Sequence, residues 1–160
     1  MFSDKKSRIK VYVISILIPL AVGALSALLT RSGMKEYAAL SRPPLAPPGI
    51  VFPIAWAVLY ILMGISAAMI YNSTKNTERK KALWLYAIQL VVNFFWSLIF
   101  FGAGWRLFGL FWILLLLILV FLMYFAFDKI SHPAAYLQIP YVLWLCFATY
   151  LNFGIWFLNR

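Results

Sequence analysis

Apolar residues run through this chain in long stretches, and the charged ones gather between them. Val11–Leu29, Ile50–Tyr71, Ala82–Ala103, Leu107–Phe127 and Ala134–Leu158 contain no Asp, Glu, Lys, Arg or His. About 20 apolar residues in a helix cross the hydrocarbon core of a bilayer, so each stretch predicts one transmembrane helix. The pattern predicts an all-α fold, an integral membrane bundle of five transmembrane helices forming a single domain over residues 1–160. The fourth stretch, LFGLFWILLLLILVFLMYFAF, is the most uniformly apolar and predicts the most lipid-exposed helix. Pro53 and Pro133 fall in predicted first turns, where a missing N–H costs least. Pro19 and Pro140 lie inside their predicted helices and predict kinks.

The connections are short except the first, residues 30–49. It carries Arg31, Lys35, Glu36, Tyr37 and Arg42, then the run Pro43-Pro44-Leu45-Ala46-Pro47-Pro48. So polar and rigid a segment cannot enter lipid; it is either a lid across one mouth of the bundle or a plain connector.

Composition supports a lipid solvent. Hydrophobic residues make up 65% of the chain and charged ones 11%, against about 25% charged in soluble domains. The net charge of +10 does not point to nucleic acid, because the cations sit in tails and loops rather than on one binding face. Five spans put Lys5, Lys6, Arg8, Lys10, Lys75, Arg79, Lys80, Lys81 and Lys129 on one side. Arg31, Lys35, Arg42, Arg106 and Arg160 fall on the other. The positive-inside rule therefore predicts a cytoplasmic N-terminus and an outward-facing first loop. The first span is too long for a typical signal-peptide core and is followed by no A-x-A-like cleavage site, so it reads as a retained helix. The absence of a transit peptide and the small size point to a bacterial plasma membrane. Cys146 is the single cysteine and reads as a small buried hydrophobe. No internal repeat of the kind that builds transporters is visible.

Polar and aromatic residues inside the spans are the candidate functional groups. Gln89, Asn93, Trp96 and Phe100 are spaced i, i+4, i+7, i+11 and share one helical face. Two carboxamides in a membrane need partners within the bundle, either as interhelical glue or as part of a pocket. The fifth span offers a similar face in Tyr141, Trp144 or Leu145, Ala148 and Asn152, and the second offers Trp56, Tyr60 and Met63. Trp84, Trp105, Trp112 and Trp156 lie near helix ends, as in an interfacial aromatic belt. Trp56, Trp96 and Trp144 lie deeper, and three inward tryptophans with tyrosines would cradle a large flat aromatic ligand. Gly23-x-x-x-Ala27 and Gly64-x-x-x-Ala68 permit close helix crossings, within the chain or between subunits, with packing inside the chain the simpler reading.

Acid–base chemistry is poorly supplied. Asp4, Glu36, Glu78 and Asp128 are the only acidic residues and lie outside the spans or at their ends, and His132 is the single histidine. No catalytic triad, paired carboxylate, phosphate-binding glycine loop or metal-ligand set emerges, and no cofactor is required. A large flat aromatic ligand would be held by stacking and hydrogen bonds, with Lys35 or Arg42 meeting any carboxylates it carries.

Three separated motifs carry a family resemblance. Pro43–Pro48 leading into Gly49-Ile50-Val51-Phe52-Pro53-Ile54-Ala55-Trp56, then Gln89-Leu90-Val91-Val92-Asn93-Phe94-Phe95-Trp96-Ser97, then Pro140-Tyr141-x-x-Trp144-x-x-Phe147-Ala148-Thr149-Tyr150-Leu151-Asn152 resemble the signatures of the TspO/MBR family of tryptophan-rich membrane proteins. The resemblance covers nearly the whole chain in order. It implies a five-helix bundle, usually a homodimer, with a pocket beneath the first loop that takes porphyrins such as protoporphyrin IX and drug-like aromatic ligands. Carried over by motif position, the pocket residues are Tyr37, Trp56, Asn93, Trp96, Tyr141, Trp144 and Ala148. Three functions follow as expectations: a tetrapyrrole-binding receptor or sensor, an enzyme that degrades protoporphyrin IX in light through Trp56, Trp96 or Trp144, or a tetrapyrrole transporter. The sequence departs from the family where the loop often reads Pro-x-Trp-x-Pro-Pro, since Leu45 stands at the tryptophan position. The sterol-recognition pattern also fails in the last span.

Overall fold

The computed structural model describes residues 2–160. Five of its helical segments are long and apolar enough to cross a membrane, and no strand occurs among the described residues. The first span is α1 (Phe2–Leu29), and the second is α3 (Val51–Tyr71). The third is α4 (Thr77–Ser97), which continues into a π-helical turn (Leu98–Gly102), and the fourth is α5 (Arg106–Asp128). The fifth is built from two pieces, α6 (His132–Tyr136) and α7 (Ile139–Leu158).

Two helices begin well before their apolar stretches. Asn76 caps α4, its Oδ1 accepting the Arg79 N–H at 2.9 Å, so α4 begins at Thr77 rather than Ala82 and its first turn is polar. Likewise α1 carries Lys5, Lys6, Arg8 and Lys10 on its opening turns.

The first connection is largely not a loop. Residues Arg31–Ala39 form α2, which buries Gly33 and Tyr37, spaced i, i+4. A Cβ on Gly33 would collide with the carbonyl of Phe101, so only glycine lets α2 lie against the π-helical turn.

Packing follows from small residues and from the pairing of helices. α1 packs on α3, while α5 lies between α4 and α7. At Gly64 a side chain would strike the backbone of Ile16, so this small residue serves a crossing inside the chain, as its spacing suggested. The carbonyl of Ser15, deprived of its helical donor by Pro19, faces that glycine. α1 runs unbroken through Pro19.

Three expectations are corrected. Pro140 does not kink a continuous helix. It sits in the first turn of α7, and α6 ends at Tyr136 because the proline has no N–H for the Tyr136 carbonyl and its ring would clash there. The fourth span is not the most lipid-exposed: Ile113, Leu116, Val120, Met123 and Phe127 of α5 are fully buried, whereas α1 buries only Pro19 and Ser26 along its described side chains. Uniform apolarity reflects contact with both lipid and protein, so it does not distinguish them. Cys146 is exposed on the outer face of α7 rather than buried.

Candidate aromatic binding site beneath the lid

The predicted face of α4 forms. Gln89, Asn93, Trp96 and Phe100 are all buried, and carboxamides held in the bundle need hydrogen-bonded partners. Tyr141 of α7 supplies them. Its hydroxyl donates to Gln89 Oε1 at 2.8 Å and accepts from Asn93 Nδ2 at 2.7 Å. Tyr60 of α3 donates to Asn93 Oδ1 at 3.0 Å, so one amide joins three spans. Toward the lid, Trp96 Nε1 donates to Asn152 Oδ1 at 3.1 Å, and Asn152 Nδ2 donates to the Arg106 carbonyl at 2.7 Å.

Aromatic rings fill the space above this network. Trp56 stacks on Tyr60 with centroids 5.5 Å apart and lies 6.3 Å from both Trp96 and Trp144. Trp96 stacks on Phe100 at 5.4 Å. Tyr37 descends from the lid to meet Phe52 edge-on at 5.2 Å, and Phe52 meets Trp144 at 5.9 Å. Ala148 is buried on the same face of α7 as Tyr141 and Asn152. The predicted site residues thus come together, with Asn152 joined through Trp96.

Two members were missed. Phe52 stands four residues before Trp56 and eight before Tyr60, so the face of α3 was readable one turn earlier. Phe101 contacts Tyr37, Phe52 and Trp96, yet adjacent Phe100 and Phe101 both point inward. An α-helix would splay consecutive side chains by about 100°; the π-helical turn, closed by Ala103 N–H to the Leu98 carbonyl at 2.8 Å, brings both in. Such bulges are frequent at functional sites. Among the belt tryptophans, Trp84 and Trp105 face outward, but Trp112 donates from Nε1 to the Val92 carbonyl at 2.8 Å, tying α5 to α4.

The cluster has polar loose ends. Among the described residues, Tyr37 Oη and Trp144 Nε1 are buried without a hydrogen-bond partner. Buried donors in folded proteins are nearly always paired, so these two are reserved for something else or carry a penalty. Burial pushes the Tyr37 phenol up, and the neighbouring Arg42 pulls it part of the way back through its charge and its approach to the phenol oxygen. Arg42 can only donate, so the Tyr37 O–H itself has no acceptor. The Arg42 guanidinium lies 5.7 Å from the Tyr37 ring, at the lid edge of the cluster. Lys35 is exposed.

The lid is fastened across α7. Pro43 packs on Gly154, where a Cβ would lie 2.7 Å from its ring, and Tyr150 donates to the Pro44 carbonyl at 2.8 Å. Leu45 occupies a left-handed turn with φ of 68° and is 84% exposed, so the position that often holds tryptophan lies away from the buried rings. Among the described residues, no hydrogen bond or ion pair joins an Asp, Glu or His to the cluster. His132 pairs with Asp128 at 2.6 Å in the turn between α5 and α6. No group of three or more His, Cys, Asp or Glu side chains that could hold a metal occurs among the described residues.

Comparison with known proteins agrees with this architecture. The model of the TspO/MBR family matches residues 15–157. The chain is 40% identical over 142 residues to the tryptophan-rich protein TspO of Chlorobaculum tepidum, covering 88% of this chain and 90% of that one. It is 37% identical to protein CrtK of Rhodobacter capsulatus, covering 77% and 78%. It is also 37% identical to the translocator protein of Bos taurus, covering 88% and 85%. This five-span membrane protein belongs to the TspO/MBR family.

Proposed function

We propose that this protein is a membrane receptor of the sensory type whose ligand is a large, flat, aromatic molecule bearing hydrogen-bond acceptors, a porphyrin such as protoporphyrin IX. One observation carries the reading: Tyr37 Oη and Trp144 Nε1, two buried donors without a partner among the described residues, flank Phe52 in an aromatic cluster under the lid. The rings fill one another's space, so a ligand must replace their mutual contacts. Each aromatic pair is worth about 0.5–1.5 kcal/mol beyond its buried area, and a conjugated macrocycle restores such contacts while an aliphatic one does not. Its carboxylate oxygens would take the two free donors, with Arg42 as the counter-charge. The names of relatives, a translocator protein and a tryptophan-rich sensory protein, fit a small-molecule receptor. On the same proposal the N-terminus lies in the cytoplasm, a reading supported by the nine Lys/Arg on that side against five on the other, with a bacterial plasma membrane as the location and a homodimer as the working unit.

A second reading, light- and oxygen-dependent breakdown of the bound porphyrin, is favoured by the contact of Trp56 with both Trp96 and Trp144. One experiment tests both readings. Tryptophan fluorescence of the purified protein is titrated with protoporphyrin IX in the dark and under illumination, beside an Asn93→Ala/Trp144→Ala variant. Saturable quenching that the variant loses supports the receptor, and light-dependent loss of porphyrin absorbance in the wild type alone adds turnover. Equal, unsaturable quenching by both proteins refutes the site.

A further inference from the structure

A second ligand position lies far from the lid, where α4 leaves the α3–α4 turn. A groove of about 580 Å³ opens there. Its upper end is cationic, formed by Lys75, Arg79 and Lys80, and its lower end is apolar, formed by Leu83, Trp84 and Ala87. No acidic side chain lines it.

The cations are arranged for an anion. Arg79 is held in place, its Nη1 donating to the Tyr71 carbonyl at 2.7 Å and its guanidinium 5.3 Å from the Tyr71 ring. Glu78, the one acidic residue nearby, lies 3.7 Å from Lys81, a residue outside the groove. Among the described residues, Lys75 and Lys80 have no acidic partner.

Down the helix, Lys80, Leu83 with Trp84, and Ala87 follow at i, i+3/i+4, i+7 and so share one face. That stripe runs about 10 Å along the axis, from charge to hydrocarbon. Trp84 is 61% exposed, as a side chain at the headgroup boundary would be. The groove therefore repeats the order of a phospholipid, phosphate first and acyl chain below. Lys5, Lys6, Arg8 and Lys10 of α1 do not line this groove.

We propose that this groove binds an anionic phospholipid, with its phosphate at Lys75, Arg79 and Lys80 and an acyl chain along Trp84 and Ala87. A free phosphate would fill only the upper end and leave the apolar stripe unused. A zwitterionic lipid would bring a cation against the lysines.

The test uses the full protein in liposomes where one lipid at a time carries brominated acyl chains. The Trp84 signal is the difference between wild type and Trp84→Phe. Brominated phosphatidylglycerol should quench it at a mole fraction about tenfold lower than brominated phosphatidylcholine. Lys75→Glu/Lys80→Glu should abolish that preference, Lys5→Glu/Lys6→Glu should keep it, and inorganic phosphate should not displace the lipid. Equal quenching by the two lipids overturns the proposal. So does an equal loss of preference in both charge-reversed variants, which would mean a diffuse surface potential, and so does displacement by inorganic phosphate.

Discussion

The side-chain amide of Asn159 grips the backbone of Ser41 from both sides. Its Oδ1 accepts the Ser41 N–H at 3.1 Å, and its Nδ2 donates to the Ser41 carbonyl at 2.8 Å. This pair closes the lid onto the end of α7, and because it is exposed to water, each bond contributes about 1 kcal/mol. Asn159→Ala should loosen the Ser41 end of the lid, while Pro43 on Gly154 and Tyr150 on the Pro44 carbonyl still hold the rest. Amide exchange at Ser41 should accelerate by roughly tenfold, and porphyrin association and dissociation should both quicken. Exchange mass spectrometry and stopped-flow quenching read these changes.

The hydroxyl of Tyr141 holds the polar network together from within. Tyr141→Phe keeps the ring but leaves Asn93 Nδ2 and Gln89 Oε1 without their partner. Buried orphans cost about 1–3 kcal/mol each, more than the roughly 0.6 kcal/mol typical of one interhelical bond. Tyr60→Phe deprives only Asn93 Oδ1 and should destabilise less. Thermal unfolding in detergent, wild type against each variant, gives the order.

Leu45 carries strain that glycine would relieve. Ala46 N–H reaches the Pro43 carbonyl at 3.2 Å, closing a turn whose third residue has a positive φ, a conformation that favours glycine. Leucine there costs about 1–2 kcal/mol, and its side chain is 84% exposed, so little packing is lost on replacement. Leu45→Gly should raise the melting temperature by about a degree or more in thermal unfolding, because the strain relieved exceeds the roughly 0.4–1 kcal/mol that a freer unfolded chain costs.

The spans were legible because a bilayer forbids charge over about 20 residues, a rule that needs no tertiary knowledge. Their ends were less so, since Asn76 starts α4 through a side-chain cap well outside the apolar run. α2 escaped because it is polar, and only Gly33 and Tyr37 face inward. The α4 face from Gln89 to Phe100 was readable from helical periodicity alone. Which groups across the bundle would meet it was not, because the register between Tyr60, Asn93 and Tyr141 depends on how three helices slide past one another. Phe101 was hidden by the π-helical turn, whose one-residue shift leaves no compositional mark.

The proposed site rests on the Tyr37 O–H and the Trp144 indole N–H, two buried donors open to a ligand. Tyr37→Phe tests it directly, because it deletes one hydroxyl and keeps the ring against Phe52. Melting of the ligand-free protein and calorimetric titration with protoporphyrin IX are measured on the same samples. The expected result is a ligand-free protein about as stable as wild type, since the Tyr37 O–H has no acceptor there, together with roughly tenfold weaker porphyrin binding. Lower stability with unchanged affinity would contradict it, and would make Tyr37 a structural residue of the lid.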